Sequence, residues 1–239
     1  MNTKKIKGKS VKMIAHKGLS GIECENTNAA FVAAGNRSYF GIETDVHVTV
    51  DGKFAIIHDD NTFRVSYANL IVEDCTMEQL EGLSLKKPDF REDRGDLRIP
   101  QLKEYIGICK KYEKTAVLEL KNRMKSEDIE NIIGEIEKAD YLDKVIFISF
   151  SWENLLDVKK MRPQQKVQFL IGSWEDSLLD RLLENKMDLD IEYRAVTPEL
   201  VEKLHQNGIE INCWTCDDAA AAERLISYGV DYITSNILE

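Results

Sequence analysis

The sequence predicts a TIM (β/α)8 barrel with a small insertion after its second strand. Three observations predict it. Strand-like and helix-like patterns alternate from end to end, no linker-like stretch interrupts them, and the main series holds eight strand candidates, each but the last followed by a helix. An open sheet is the alternative for such alternation, but no glycine-rich dinucleotide fingerprint follows the first strand. The 239 residues, 43% hydrophobic and 31% charged, suit a single domain spanning 1–239 that buries its core without staples.

A short apolar run at 11–15 opens the series. The next helix takes Asn26 or Thr27 as its cap, buries Ala30, Phe31 and Ala34, and ends near Gly35. Residues 41–59 read as a strand, a tight turn and a returning strand, with Glu43, Asp45 and His47 on one face of the first. Asp51-Gly52 is a two-residue hairpin signal that would set Asp45 opposite His58; a bulge at Gly52 or Lys53 would shift that register by one. An irregular region to about Pro100, with one short helix at 77–83, forms the insertion of about 51–100. Helix 101–112 then leads to strand 115–120, helix 127–139 to strand 145–150, and helix 152–160 to strand 166–171. Helix 176–185 precedes a weakly marked strand at 188–193. Thr197-Pro198-Glu199 supplies a cap, a first-turn proline and an acidic first turn, opening a helix that stops at Gly208. Strand 209–214, helix 217–228 and strand 231–234 close the series. The eighth helix is missing or borrowed from the amino terminus.

A net charge of −10 argues against a nucleic-acid or anionic-membrane surface. No run is long and apolar enough to cross a bilayer, so no membrane insertion is expected. The basic start (Lys4, Lys5, Lys7, Lys9, Lys12) precedes no apolar run of signal-peptide length and reads as a solvated tail. Five cysteines without disulfide-framework spacing fit a reducing, cytoplasmic location. Cys213-Trp214-Thr215-Cys216 has redox spacing, but no second pair completes a zinc site, and packing at a strand end is the expected role. A homodimer is compatible with the sequence, which specifies no oligomeric state.

Active residues of such barrels stand at the carboxyl ends of strands. That rule gathers His16 and Lys17, Glu43 and Asp45, Glu119 and Lys121, and Trp214 at one rim, with His58 returning on the hairpin. Three carboxylates converging there need a counter-charge, and a single hard divalent cation, Mg²⁺ or Ca²⁺, supplies it with Glu43, Asp45 and Glu119 as ligands. His16 and His58 suit proton transfer, because imidazole titrates near neutrality. His47 lies nearer the turn and is expected to support the site or stand exposed. His205, on the polar side of a capped helix, is expected to be inert.

His16-Lys17-Gly18, Glu25-Asn26-Thr27, Ile42-Glu43-Thr44-Asp45-Val46, Asp51-Gly52, His58-Asp59 and Glu119-Leu120-Lys121, followed by Ser149-Phe150 and Trp214-Thr215, resemble the ordered motifs of glycerophosphodiester phosphodiesterases. The resemblance covers nearly the whole chain. It implies a TIM barrel, metal ligation by Glu43, Asp45 and Glu119, acid–base work by His16 and His58, and hydrolysis of deacylated phospholipids to glycerol 3-phosphate and an alcohol. On that reading Lys17 and Lys121 neutralise phosphate oxygens and Trp214 packs on the glycerol carbons. Lys17 stands where the family usually has arginine, Cys24 where it has proline, and Thr234-Ser235-Asn236 lacks a proline often found nearby. Arg64 matches a basic position seen after the His-Asp pair. The rivals are a related phospholipid or phosphoinositide phosphodiesterase and a non-catalytic barrel that binds a phosphorylated ligand. The nucleophile is either metal-bound water or the substrate's own glycerol 2-hydroxyl, the second being favoured.

Overall fold

The computed structural model describes residues 2–6, 11–86 and 94–239. Eight parallel strands close on themselves: β1 (Lys12–Ala15), β2 (Gly41–Val48), β4 (Thr115–Leu120), β5 (Val145–Ser149), β6 (Val167–Ile171), β7 (Asp188–Glu192), β8 (Ile211–Trp214) and β9 (Tyr232–Ser235), with β9 pairing back onto β1. The helices outside are α1 (Asn28–Gly35), α3 (Leu102–Lys111), α4 (Ser126–Lys138), α5 (Trp152–Met161), α6 (Leu178–Asn185), α7 (Pro198–Gln206) and α8 (Ala219–Tyr228). The predicted TIM barrel is therefore present. Thr27, not Asn26, caps α1 by accepting from the Ala30 amide, and Thr197 caps α7 ahead of Pro198.

Strand periodicity sorts the residues into two layers. Apolar side chains such as Leu118, Leu189 and Ile211 face the helices and join the main core. The alternate residues point inward, where Ile14, Val117, Ile146, Ile148, Leu170 and Tyr232 pack together. The weakly marked segment near 188 is a true strand: Leu189 and Ile191 are buried outward, while Asp188, Asp190 and Glu192 take the alternate positions. At the amino-terminal end of the barrel, Lys12 and Lys166 both donate to the Tyr232 hydroxyl and pair with Glu210.

The hairpin departs from the two-residue turn. Pairs run Val46 with Ile56, His47 with Ala55 and Val48 with Phe54 of β3 (Phe54–Ile56), so Asp45 faces Ile57 and not His58. The Gly52 amide donates to the Thr49 carbonyl, Gly52 has φ +68°, and the Thr49 amide donates to Lys53. This is a three-residue loop with a left-handed glycine bulge, and the extra residue shifts every pair by one.

From Ile57 the chain leaves the barrel, forms a single 3-10 turn at Val72–Asp74 and helix α2 (Met77–Glu81), and returns at Gln101, which bridges Ala55. Ala55, Ile57, Val72, Met77, Leu80, Leu97 and Ile99 form a separate small core here, joined by Cys24. The insertion expected at about 51–100 thus has its own packing, though residues 87–93 fall outside the described ones.

Residues 2–6 form neither a free tail nor a helix. The Lys4 amide donates to the Ile237 carbonyl at 3.1 Å and the Ile6 amide to Glu239 at 2.8 Å, so these residues lie alongside the last described ones. Lys7 and Lys9 fall outside the described residues. Cys213 and Cys216 are free and buried, and burial pushes the Cys216 thiol up to about 11, as packing predicts.

One side chain locks the returning insertion to the barrel. Glu104, in the first turn of α3, accepts from the Gln101 amide at 3.0 Å, from both terminal nitrogens of Arg98 and from Asn28 at 2.9 Å. Burial alone would raise its pKa, but these bonds outweigh it and hold the carboxyl at about 2, against an ordinary 4.5. Glu104→Ala is expected to cost about 1–2 kcal/mol, as for a lost helix cap. Because the folded pKa is depressed, that stability is present above the ordinary value and fades as pH falls towards 2. Urea unfolding at pH 7 and at pH 3 should show the mutant and the parent drawing together at the lower pH.

Candidate active site

The loop after β1 shapes the site first. Lys17 has φ +53° and Gly18 φ +72°, and a Cβ on Gly18 would stand 2.7 Å from Ala30 of α1. Glycine is therefore required after His16-Lys17. The tight turn aims the Lys17 amide at the Glu43 carboxylate, 2.7 Å away, and leaves the His16 ring 4.0 Å from the same group.

Three carboxylates from two strands meet beside it. Ligand atoms of Glu43, Asp45 and Glu119 all lie within 4.8 Å of one another, and all three residues are buried. Pairing of Asp45 with Glu119 across β2 and β4 puts these acids at the same height. Asp45 Oδ2 accepts from Asn26 at 2.8 Å, and Asn26 in turn accepts from Thr44 at 2.7 Å. Asp45 Oδ1 is buried with no hydrogen-bond partner; the Lys121 ammonium lies 3.5 Å from it and 2.8 Å from Glu119.

Electrostatics reflect the crowding. Burial, then the charges of Asp45 and Glu119, push Glu43 well above the usual carboxylate range. Burial and Asp45 raise Glu119 to about 7. Burial would raise Asp45 too, but Lys121, His58 and Lys17 hold it at about 2. The protein's own cations thus leave two of the three acids above the usual carboxylate range. An orphaned buried oxygen amid an all-oxygen donor set fits a hard divalent cation.

The two histidines are fixed differently. Burial, then Lys17, push His16 down to about 4. His16 Nδ1 meets Asn236 Oδ1 at 2.7 Å, and the Asn236 amide nitrogen is committed to Asp217 at 2.6 Å. His58 Nδ1 lies 2.6 Å from Asp59 Oδ1. Arg64 holds Asp59 with Nε at 2.7 Å and holds Glu25 with Nη1 at 2.6 Å, so its donors face carboxylates. Lys17 Nζ is 3.4 Å from Glu25. His47 is fully buried, between Glu73 at 3.1 Å and the His58 carbonyl at 3.3 Å; it is not exposed, and it anchors the backbone that carries His58.

His16, Glu43, His58 and Glu119 line one cavity of about 140 Å³ together with Phe150, Asp190 and Trp214. Trp214 donates to the Asp190 carbonyl at 3.3 Å and stands edge-on to Phe150 at 5.6 Å between centroids. Lys121 lies beside Asp45 and Glu119, and Lys17 beside Glu25. Every residue singled out from sequence thus gathers at this rim, while His205 pairs with Asp231 at the other end of β9. Partners not singled out as site residues include Glu25, Asn26, Asp59, Asp190 and Asn236. Glu25, Asn26 and Asp59 stood in the quoted motifs, Asn26 being read there only as a helix cap.

Residues 16–238 match the family model described as the glycerophosphoryl diester phosphodiesterase family. The chain belongs to this family. The motif resemblance is thereby upheld, and with it the reading as an enzyme of this family. A glycerophosphodiester phosphodiesterase of Caldanaerobacter subterraneus subsp. tengcongensis is 33% identical over 94% of this chain and 93% of its own. One of Bacillus altitudinis is 30% identical over 93% of each. A solved phosphodiesterase of Oleispira antarctica, in complex with the product sn-glycerol-3-phosphate, shares the fold with a TM-score of 0.87 at 24% identity, over 95% of this chain and 93% of that one. Among the described residues, no helix is long and apolar enough to cross a membrane.

Proposed function

We propose that this phosphodiesterase hydrolyses glycerophosphodiesters to glycerol 3-phosphate and an alcohol, in the cytoplasm, with one bound Mg²⁺ or Ca²⁺. The observation that carries the reading is two imidazoles set beside a buried acidic triad at one small cavity. The five unpaired cysteines support a reducing compartment. When bound, a cation held by Glu43, Asp45 and Glu119 supplies Lewis-acid polarisation of the phosphoryl group. Lys17 and Lys121 neutralise the non-bridging oxygens, and Trp214 covers the glycerol carbons.

Hydrogen bonding supports distinct proton roles for the histidines. Because the Asn236 oxygen accepts from Nδ1, His16 is left with a lone pair on Nε2 and acts as the base. The Asp59 carboxylate accepts from Nδ1 and orients His58 with Nε2 towards the substrate, and His58 acts as the acid. His16 takes the proton of the glycerol 2-hydroxyl as that oxygen bonds to phosphorus. The phosphorus–oxygen bond to the alcohol breaks, and His58 protonates the departing oxygen. Water then opens the cyclic phosphate with the two roles exchanged.

Purified protein is expected to release choline from glycerophosphocholine in the presence of Mg²⁺ or Ca²⁺. The analogue with hydrogen in place of the 2-hydroxyl should bind and scarcely turn over. Absence of choline release from the parent diester with either metal would reject the reaction. Rapid hydrolysis of the 2-deoxy analogue would reject the cyclic route and leave water as the nucleophile.

A further inference from the structure

The cavity has two unlike walls. His16, Glu43, His58 and Glu119 make one; Phe150, Leu170 and Trp214 make much of the other. Within the second wall sits one carboxyl group, Asp190, which the proposed proton transfers do not use. The residue is 1% exposed, and Oδ2 accepts from Asn212 Nδ2 at 3.0 Å. Oδ1 is buried and has no hydrogen-bond partner. Leaving such an atom unpaired costs free energy, so a buried polar group facing a cavity marks where a ligand atom or a water belongs.

Position decides which ligand atom fits. Around the ring, three strands separate β7 from β2 in either direction, so Asp190 lies across the barrel from Glu43 and Asp45. A substrate whose phosphorus lies against the triad and histidines therefore presents its far end to Asp190. In a glycerol 3-phosphate unit that far end is the terminal hydroxyl, with the 2-hydroxyl lying between it and the phosphate. A hydroxyl both donates and accepts, so it suits Asp190 whether ionised or neutral. Burial and the Glu119 charge push Asp190 well above the usual range, which keeps it able to donate.

We infer that Asp190 binds the terminal hydroxyl of the substrate's glycerol unit and is a specificity-determining residue that restricts the enzyme to diesters with that hydroxyl free. The inference rests on the glycerophosphodiester reading above. An acyl chain on the terminal oxygen removes its proton and must pass a wall closed by Phe150 and Trp214, so lysophospholipids are rejected. Asp190 touches no reacting atom, and its effect is confined to selection and placement. The competing occupant is a water bridging Asp190 to the unpaired Gln168 Nε2, which would make Asp190 structural.

The test compares glycerophosphocholine with the phosphocholine ester of propane-1,2-diol, which lacks only the terminal hydroxyl and keeps the 2-hydroxyl. The wild-type kcat/KM should fall by roughly 10²-fold or more for the analogue, because a site built around a hydroxyl rejects its absence. Asp190→Leu should bring glycerophosphocholine down to a similar level while leaving the analogue within about threefold, and Asp190→Asn should keep part of the discrimination. Equal wild-type rates on the two diesters, or an equal loss on both in Asp190→Leu, would overturn the inference. If Asp190→Leu does not fold, the wild-type comparison alone decides. If the wild type cleaves neither diester, the reaction itself has failed. Calorimetric binding of sn-glycerol 3-phosphate against propane-1,2-diol 1-phosphate then decides Asp190: roughly tenfold preference for the first supports it, and equal affinity overturns it.

Discussion

Chelating divalent cations from the purified protein is expected to abolish turnover, and adding back Mg²⁺ or Ca²⁺ to restore it. The reason is the crowding of Glu43, Asp45 and Glu119 within 4.8 Å, with Lys121 near only two of them. Glu43→Gln removes one anionic ligand and nearly keeps the shape, and the Lys17 amide can still donate to the remaining oxygen. Metal affinity should therefore fall sharply while the fold survives. A second readout does not depend on activity. A cation at about 100 times its Kd stabilises the wild type by about 2.7 kcal/mol, which appears as a rise in Tm. Glu43→Gln should show almost no rise at the same concentration. Full activity in excess chelator, with no metal in the protein by elemental analysis, would overturn the metal model.

The alternation of elements was legible because apolar periodicity and capping are local. Thr197-Pro198 and the run 115–120 mark their elements within a few residues. The strand at β7 was weakly marked because inward positions near a barrel's polar centre carry Asp188, Asp190 and Glu192, which propensity reads as loop. The hairpin register differs by one from that of a two-residue turn because Asp-Gly serves both such a turn and a bulged three-residue loop; the choice rests on Thr49, whose amide pairs with Lys53. His58 reaches the cavity by a different route, carried past the paired strand and held by His47 and Asp59.

Tertiary partners were out of reach of spacing arguments. Asn236 meets His16 across nearly the whole chain, and nothing near either residue announces the other. Asp190 carries no local signal that sets it apart from Asp188 and Glu192, the other acids alternating along β7. The insertion's own core was equally hidden, since Cys24 joins it from the loop before α1, where a proline usually stands in the family. Strand ends could be ranked from sequence; which side chains orient the ones that rank highest depended on packing.

His16→Ala and His58→Ala are each expected to lower kcat by roughly 10²–10⁴, the range for a positioned general acid or base. Both rings line the cavity, and each is held through Nδ1 by a group that leaves Nε2 free for substrate. Loss of either leaves the other without a proton to receive or deliver in the same step, so the double mutant should fall well short of the multiplied losses. Circular dichroism should show both single variants folded, because neither ring belongs to the apolar core. His205→Ala is the control: its ring pairs with Asp231 at the far end of β9, is 41% exposed, and touches nothing in the cavity. That surface pair contributes about 0–1 kcal/mol to stability and nothing to the reaction. Steady-state kinetics of all four proteins on glycerophosphocholine settles the matter, and a His205→Ala variant as damaged as His16→Ala would place the chemistry somewhere other than this rim.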